Sequence, residues 1–150
     1  MQNSEPSNPD SEVVQALHAA LAKHAPVRAR DGDCEPTADK VARVLRAQGR
    51  AAEIAVLAGW QDMTAMPFSV PEGVRVLAWY HHCTLLDGWV ADGTATQFNP
   101  ALPAAWVAPL SDYLNDLATA APGVAAVSIE DRYEPDADGP EDIGPVNARR

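Results

Sequence analysis

The sequence predicts an α+β fold in which a helix that begins at Cys34 packs on a small, mainly antiparallel sheet. Three observations support this prediction. Apolar residues recur at helical spacing from Cys34 to Gln48, later segments show the alternation of strands, and an Asp-Gly pair at residues 87–88 has the composition of a two-residue hairpin turn. A chain of 150 residues, 47% of them apolar, is long enough for one domain with its own core.

One helix is predicted before Cys34. Residues 1–10 are polar, without an apolar run, and are predicted to form a disordered lead. Over residues 11–24 the apolar side chains recur at helical spacing, and Pro26 lies beyond the end of this helix. The segment therefore predicts a peripheral helix at the start of a single domain that covers residues 11–133.

The helix from Cys34 to Gln48 has signals at both ends. Pro36 suits the first turn, where its missing N–H leaves no hydrogen bond unmade. Gly49 is a natural residue for the C-terminal cap, where a positive φ is favoured. The apolar stripe of this helix consists of Ala38, Val41, Ala42, Val44 and Leu45.

Strands are predicted on both sides of a long loop. Residues 52–59 show the alternation of a short strand, and residues 59–72 form the predicted loop. Residues 74–86 are rich in strand-forming side chains, and residues 89–92 are the returning strand of a hairpin. These segments supply the antiparallel part of the predicted sheet.

The C-terminal third is predicted to contain one more helix and one more strand. Residues 99–109 are spaced by prolines and predict no regular element. Ser111 is a suitable N-cap for a helix over residues 111–120, and residues 124–129 predict a last strand. Residues 134–150 are acidic, contain proline and lack periodicity, so a disordered tail is predicted there.

Composition narrows the classes of partner and location. The formal net charge is −10, and a field of that sign repels phosphates, so no nucleic-acid partner is expected. No stretch approaches the roughly 18 apolar residues that a membrane helix needs, and the polar start lacks the features of a signal peptide. Two cysteines without a CxxC or zinc-ligand spacing favour a reducing, cytoplasmic setting and no metal cofactor.

The hairpin determines which histidine can work with Asp92. A two-residue Asp-Gly turn pairs Cys83 with Asp92, and side chains on one face of a strand repeat every two residues. His81 and Asp92 are therefore diagonal neighbours on one face, whereas His82 lies on the other. The assignment of His81 as the partner of Asp92 depends on this turn length.

Cys34 stands where a thiol can be activated. Free backbone N–H groups and the dipole of a helix N-terminus stabilise a thiolate, and the same N–H groups can stabilise an oxyanion. Thiolate chemistry also needs a base, usually histidine, and a third group that orients the base. A metal held by Cys34, His81, Cys83 and Asp92 is a weaker alternative, because the sequence offers no closely spaced ligand pair beyond the strand.

A family resemblance is carried by three segments: Cys34-Glu35-Pro36 within the pattern C-x-P-x-A-x-x-V-A-x-x-L-x-x-x-G, His81 in Tyr80-His81-His82, and Asp92-Gly93-Thr94-Ala95-Thr96-Gln97-Phe98. Over about residues 31–100, their order resembles the papain-like cysteine superfamily. The similarity is greatest to small bacterial transglutaminase-like proteins and to papain-fold toxin or deamidase domains. The resemblance implies a papain-like fold. It also implies that Cys34 is the nucleophile, His81 the general base and Asp92 the residue that orients the imidazole.

The function expected from these residues is cysteine-dependent acyl transfer on an amide of a protein or peptide. A thioester on Cys34 would pass to water or to an amine, a sequence of steps shared by peptidases, amidohydrolases, glutamine deamidases and transglutaminases. No cofactor is expected. Trp60, Gln61 and His82 are candidate substrate contacts, with Gln61 also a candidate for the oxyanion site and His82 a second candidate base. The loop that carries Trp60 can equally pack on the core.

A second interpretation keeps the fold without turnover. Asp33 and Glu35 place negative charge on both sides of Cys34, which opposes ionisation of the thiol. These charges favour a catalytically inactive binding or regulatory domain. A toxin or effector domain that acts on a host protein is a third, weaker alternative.

Overall fold

The structure, a computed structural model, describes residues 9–61 and 76–136. These residues contain three α-helices and five strands. The helices are α1 (Pro9–His24), α2 (Cys34–Ala47) and α3 (Leu110–Ala120). The strands are β1 (Glu53–Gln61), β2 (Leu77–Leu86), β3 (Trp89–Asp92), β4 (Trp106–Pro109) and β5 (Val124–Tyr133). They form one sheet in the order β4-β3-β2-β1-β5, and every neighbouring pair is antiparallel.

The sheet separates two apolar layers, because successive side chains of a strand point to opposite faces. α1 and α2 share one layer, in which Leu17 and Val41 have no exposed surface and Ile54 of β1 lies against them. The other layer lies beneath α3, where Leu57 and Tyr113 are equally buried. Helices on both faces of an antiparallel sheet confirm the predicted α+β class.

α2 ends as its sequence predicts. Gly49 adopts a positive φ of 85°, its N–H donates to the Arg46 carbonyl, and the N–H of Arg50 donates to the Leu45 carbonyl. This pair of hydrogen bonds closes the last turn and satisfies carbonyls that would otherwise lack a partner. At its other end the helix begins at Cys34, which is buried.

The hairpin between β2 and β3 has the predicted two-residue turn. Asp87 and Gly88 both adopt positive φ, 52° and 82°, as a type I′ turn requires. The resulting pairs are Leu86 with Trp89, Leu85 with Val90 and Thr84 with Ala91. The predicted register is therefore confirmed.

Some strand boundaries differ from the sequence predictions. β1 extends to Gln61, so Trp60 and Gln61 lie in a strand that pairs with β2 and β5 and not in the predicted loop. The remainder of that loop, residues 62–72, lies outside the described residues. β5 continues to Tyr133 because β1 offers it a pairing partner as far as Ile54.

β4 occupies a stretch in which no regular element is predicted. Its pairing with β3 runs from Trp106 opposite Asp92 to Pro109 opposite Trp89. A proline is tolerated here because β4 is an edge strand, where a missing N–H removes no ladder bond. α3 follows directly and begins at Leu110 with Pro109 as N-cap, so the predicted cap at Ser111 is wrong.

The first described residues form the start of α1, and the residues after β5 contact α2. Pro9 and Asp10 belong to α1, which begins two residues earlier than predicted, and residues 1–8 lie outside the described part. After β5, Glu134 pairs with Arg46 of α2 at 3.2 Å. The remainder of the predicted tail, residues 137–150, also lies outside it. Over the described ranges, no helix has the length and apolar character that crossing a bilayer requires.

Gly59 permits a close approach between β1 and the ring of Trp79. A Cβ at position 59 would overlap Trp79 Cε2 and Cζ2. The Gly59→Ala change is therefore expected to lower the free energy of unfolding by about 1–3 kcal/mol, as measured by urea unfolding. Combined with Trp79→Leu, it should cost less than the sum of the two single changes, because the smaller side chain removes the overlap. Strictly additive losses would contradict this explanation.

Candidate active site

The candidate site lies where β2 continues past the end of β3. Pairing between these strands ends at Thr84 and Ala91, whereas β2 extends well beyond that pair. α2 packs mainly on β2. His81 and His82 therefore lie on a section of β2 that β3 does not cover, and Cys34 at the start of α2 interacts with both imidazoles.

Asp92 is buried, and both of its carboxylate oxygens are hydrogen-bonded. Oδ2 accepts from His81 Nε2 at 2.8 Å and from the Tyr113 hydroxyl at 2.6 Å. Oδ1 accepts from the N–H of Thr94 at 2.8 Å and from its hydroxyl at 3.2 Å. Burial by itself raises the pKa of Asp92, but the His81 charge and these hydrogen bonds outweigh it and hold the pKa below its ordinary value. Asp92 is thus an ionised carboxylate in the interior.

His81 is held in one orientation. Its Nε2 donates to ionised Asp92, and its Nδ1 has no well-aligned hydrogen-bond partner among the described residues. The Phe98 ring stands edge-on to the imidazole with centroids 4.9 Å apart, and the Trp79 ring packs on Phe98 at 4.4 Å. The side chain of His81 has no exposed surface, and Nδ1 is the ring nitrogen that Asp92 does not engage.

The thiol of Cys34 ionises readily although it is mostly buried. Its Sγ lies 3.8 Å from Nδ1 of His82. Burial opposes ionisation, but the interaction with the His81 imidazole, the hydrogen bond with His82 and the charge of His81 together lower the pKa of Cys34 to about 6. A thiol with this pKa is largely thiolate at neutral pH.

The two histidines make different contributions to the thiol. The hydrogen bond with His82 has the better alignment, whereas the interaction with His81 lowers the Cys34 pKa more. Burial disfavours a charged His81, yet the charge and hydrogen bond of Asp92, with a smaller contribution from Cys34, raise its pKa to about 9. His82 is partly exposed and has no carboxylate partner in the described chain. Of the two imidazoles, His81 is the one that Asp92 holds by a hydrogen bond and stabilises in its charged form.

The two flanking carboxylates do not prevent ionisation. Asp33 turns back and accepts the N–H of Arg30 at 2.8 Å. Glu35 is exposed and lines an outer groove along α2. Neither side chain is hydrogen-bonded to Cys34, and the main cause that opposes ionisation of its thiol is burial. The imidazoles outweigh that burial and lower the pKa of Cys34.

Trp60 and Gln61 are not brought to the thiol. His81 pairs with Leu57 of β1, and Gln61 lies four positions further along that strand, roughly 13 Å away at the usual rise per residue. Trp60 donates its indole N–H to Ser128 Oγ at 2.9 Å, which ties it to β5. Of the candidate substrate contacts, only His82 lies beside Cys34.

Sequence patterns give Tyr113 no role beyond the apolar face of α3. Its hydroxyl nevertheless completes the hydrogen bonding of Asp92. A tyrosine on an otherwise apolar helix face is a signal, since a buried hydroxyl needs a partner. The partner itself could not be identified from sequence spacing. Within residues 9–61 and 76–136, no cluster of three or more histidine, cysteine or carboxylate side chains is arranged to hold a metal ion.

Comparisons with known proteins support the architecture. The sequence matches no protein-family model and no curated protein. Among solved structures, the fold is similar to the C-terminal region of Pasteurella multocida toxin, which is described as having a thiol-protease-like catalytic triad. The TM-score is 0.52 and the sequence identity 18%. The match covers 91% of this chain and 19% of that chain, so the present chain spans about a fifth of the other's length.

At 18% identity, this likeness establishes the fold alone. The chain has an α+β, papain-like architecture, as the order of its sequence motifs implies. The helix that begins at Cys34 and the strand that carries His81 are the elements on which the candidate site is built.

Proposed function

We propose that this protein is a cysteine-dependent acyl-transfer enzyme that acts on an amide of a protein or peptide, with Cys34 as nucleophile. The single observation that carries the proposal is the arrangement of three groups. A buried carboxylate, Asp92, holds an imidazole, His81, whose other ring nitrogen is free beside the thiol of Cys34. The reported thiol-protease-like triad of the structurally similar toxin region is consistent with this assignment.

The pKa values of the pair favour a resting ion pair. Between about pH 6 for Cys34 and about pH 9 for His81, the thiol is deprotonated and the imidazole protonated. The thiolate attacks the amide carbonyl carbon, and the negative charge moves to the oxygen. The free N–H groups of Cys34 and Glu35 at the start of α2 are suited to stabilise that oxyanion, whereas Pro36 has none to offer.

His81 then gives its proton to the nitrogen of the leaving group. The carbon–nitrogen bond breaks, ammonia or an amine leaves, and the acyl group remains on Cys34 as a thioester. Water or an amine attacks the thioester, His81 takes the proton of the attacking group, and the thiolate departs. Peptidase, deamidase and transglutaminase activities differ only in the leaving group and the acceptor, and Asp92 keeps the imidazole oriented in each.

The first test is the reactivity of the two cysteines. We expect iodoacetamide to alkylate Cys34 with a pH midpoint of about 6, because the imidazoles lower the pKa of its thiol. Cys83 is 1% exposed, and burial raises the pKa of its thiol far above the ordinary value, so it should remain unmodified in the folded protein. Peptide mass spectrometry after timed alkylation distinguishes the two. Equal, slow labelling of both cysteines would contradict the proposal.

A second measurement separates an enzyme from an inactive domain with a reactive thiol. With p-nitrophenyl acetate, an enzyme should release a burst of p-nitrophenol, carry one acetyl group on Cys34, and continue to turn over. The matched control is Cys83→Ala, which should retain the burst, whereas Cys34→Ala should lose it. An acetyl group that forms on Cys34 and never leaves would favour the binding or regulatory domain instead.

A further inference from the structure

Tyr113 donates to the same carboxylate oxygen as the imidazole. Its hydroxyl lies 2.6 Å from Asp92 Oδ2, and Nε2 of His81 lies 2.8 Å from that oxygen. The other oxygen, Oδ1, is already occupied by the N–H and hydroxyl of Thr94. Tyr113, His81 and Asp92 are all 0–1% exposed, so water does not compete for these bonds.

The hydroxyl is placed by a rigid element on the far side of the sheet. Tyr113 belongs to the first turn of α3, and its ring packs on Trp106 of β4 with centroids 4.7 Å apart. α3 is held in place by Leu117, which has no exposed surface. The position of the hydroxyl is therefore determined by the packing of α3 against the sheet and not by the thiol-bearing helix α2.

We propose that Tyr113 is a positioning residue that sets how strongly Asp92 holds the proton of His81. This inference rests on the proposed function, because it assigns the tuning of the same imidazole. When two donors share one carboxylate oxygen, each hydrogen bond to that oxygen is weaker than it would be alone. The tyrosine hydroxyl thereby weakens Asp92 as an acceptor for His81, which eases release of the imidazole proton to the leaving group.

Among the described residues, few other titratable groups face the hydrogen-bonded network of Asp92, His81 and Tyr113. From α2 it meets Cys34, and from β2 it meets His82 and Cys83 in addition to His81. Burial raises the pKa of the Cys83 thiol and of the Tyr113 hydroxyl well above their ordinary values, so both remain protonated. Tyr113 therefore remains a hydrogen-bond donor at every pH at which the enzyme would work.

The test is the titration of His81 in Tyr113→Phe, which preserves the ring and removes the donor. We expect Asp92 to bind the imidazole proton more tightly in this variant. The pKa of His81, measured by NMR titration, should therefore rise by about 0.5 pH unit or more, which corresponds to a small part of the strength of one charge-assisted hydrogen bond. The basic limb of the activity profile with a p-nitroanilide, whose leaving amine needs the proton of His81, should move in the same direction. Tyr133→Phe, on β5, is the matched control and should leave both unchanged.

Fluorination of the Tyr113 ring should shift the pKa of His81 in the opposite direction and keeps the hydroxyl. In a Tyr80→Phe, Tyr133→Phe background, 3-fluorotyrosine labels position 113 alone. The more acidic hydroxyl donates more strongly, so the titration of His81 should move down. This variant also keeps the proposal testable if Tyr113→Phe fails to fold.

The outcomes distinguish this inference from the proposed function. Suppose that Cys34 of the unmodified protein is alkylated with a midpoint near pH 6 and that both changes at Tyr113 leave the pKa of His81 unchanged. Tyr113 then has only a structural role. A movement of His81 in the reverse direction in either variant would also overturn the inference. If Cys34 of the unmodified protein is not activated, the proposed function fails first, and the inference that rests on it fails too.

Discussion

Replacement of His81 by glutamine is expected to reduce the thiolate fraction of Cys34 at pH 7 by about 100-fold. The pKa of Cys34 is about 6 because the imidazoles and the His81 charge stabilise the thiolate. Without that charge, the pKa should return toward the ordinary value near 9, and the thiolate fraction at pH 7 falls from about 0.9 to about 0.01. Turnover should fall by a further factor of about 10²–10⁴, because the proton donor to the leaving group is lost.

Glutamine is chosen because its amide N–H can still donate to Asp92. Alanine would leave the buried carboxylate without that partner and confuse loss of activity with loss of folding. The measurement is the pH midpoint of iodoacetamide labelling at Cys34, together with thiolate absorbance at 240 nm. Midpoints separate ionisation from the higher intrinsic reactivity of a more basic thiolate, which partly offsets the smaller thiolate fraction in a rate at one pH.

His82→Gln is the matched control, since it removes the better-aligned contact of the thiol and leaves Asp92 and His81 untouched. We expect a smaller rise in the midpoint and turnover within about tenfold of the unmodified protein. If His82→Gln raises the midpoint more than His81→Gln does, the proton carrier is His82. The hydrogen bond between His81 and Asp92 would then have only a structural role.

His81 could be predicted as the partner of Asp92 because local chemistry determines the register. An Asp-Gly turn accepts positive φ at both positions, and this fixes the pairing of β2 with β3. Once the register is set, the alternation of side chains puts His81 on the face of Asp92. The helix that begins at Cys34 was equally predictable, since a proline in its first turn and a glycine after its last turn mark its ends.

Other parts of the site depend on packing between distant segments. β4 pairs because β3 offers a free edge, and although Trp106 and Val107 favour strands, a stretch of four residues that ends in proline is too short to predict one. Tyr113 reaches Asp92 across 21 positions of sequence through the packing of α3. The charges of Asp33 and Glu35 suggested an inactive thiol because sequence alone does not reveal that Asp33 turns to the N–H of Arg30.

Replacement of Asp92 by alanine is expected to lower the free energy of unfolding at pH 7 by about 3–5 kcal/mol. The carboxylate accepts four hydrogen bonds in the interior, from His81, Tyr113 and Thr94. Removing it leaves these buried donors without a partner, and each unsatisfied group carries a desolvation cost. Since small domains are stable by only about 5–15 kcal/mol, the variant should fold but be marginal.

The stability lost in Asp92→Ala should depend on pH, and the direction of this dependence follows from the pKa shifts of Asp92 and His81. The pKa of Asp92 is lowered in the folded protein, so its stabilisation is present above the ordinary carboxyl pKa and is lost as the pH falls through the folded value. The pKa of His81 is raised to about 9, so its contribution is present below the ordinary imidazole pKa and is lost as the pH rises through about 9. The difference between the two proteins should therefore be largest between about pH 4 and 6.5.

Urea unfolding at pH 5, 7 and 10 measures this difference directly. Asp116→Ala, an exposed carboxylate on α3, is the matched control and should change stability by no more than about 0.5 kcal/mol. Asp92→Asn separates charge from hydrogen bonding, because the amide keeps one acceptor oxygen while the imidazolium loses its counter-charge. We expect an intermediate loss of stability and a His81 pKa well below about 9, because burial lowers that pKa when the counter-charge is gone. A loss below about 1 kcal/mol in Asp92→Ala at pH 5 would mean that the buried network contributes little to folding, and that Asp92 acts on the imidazole alone.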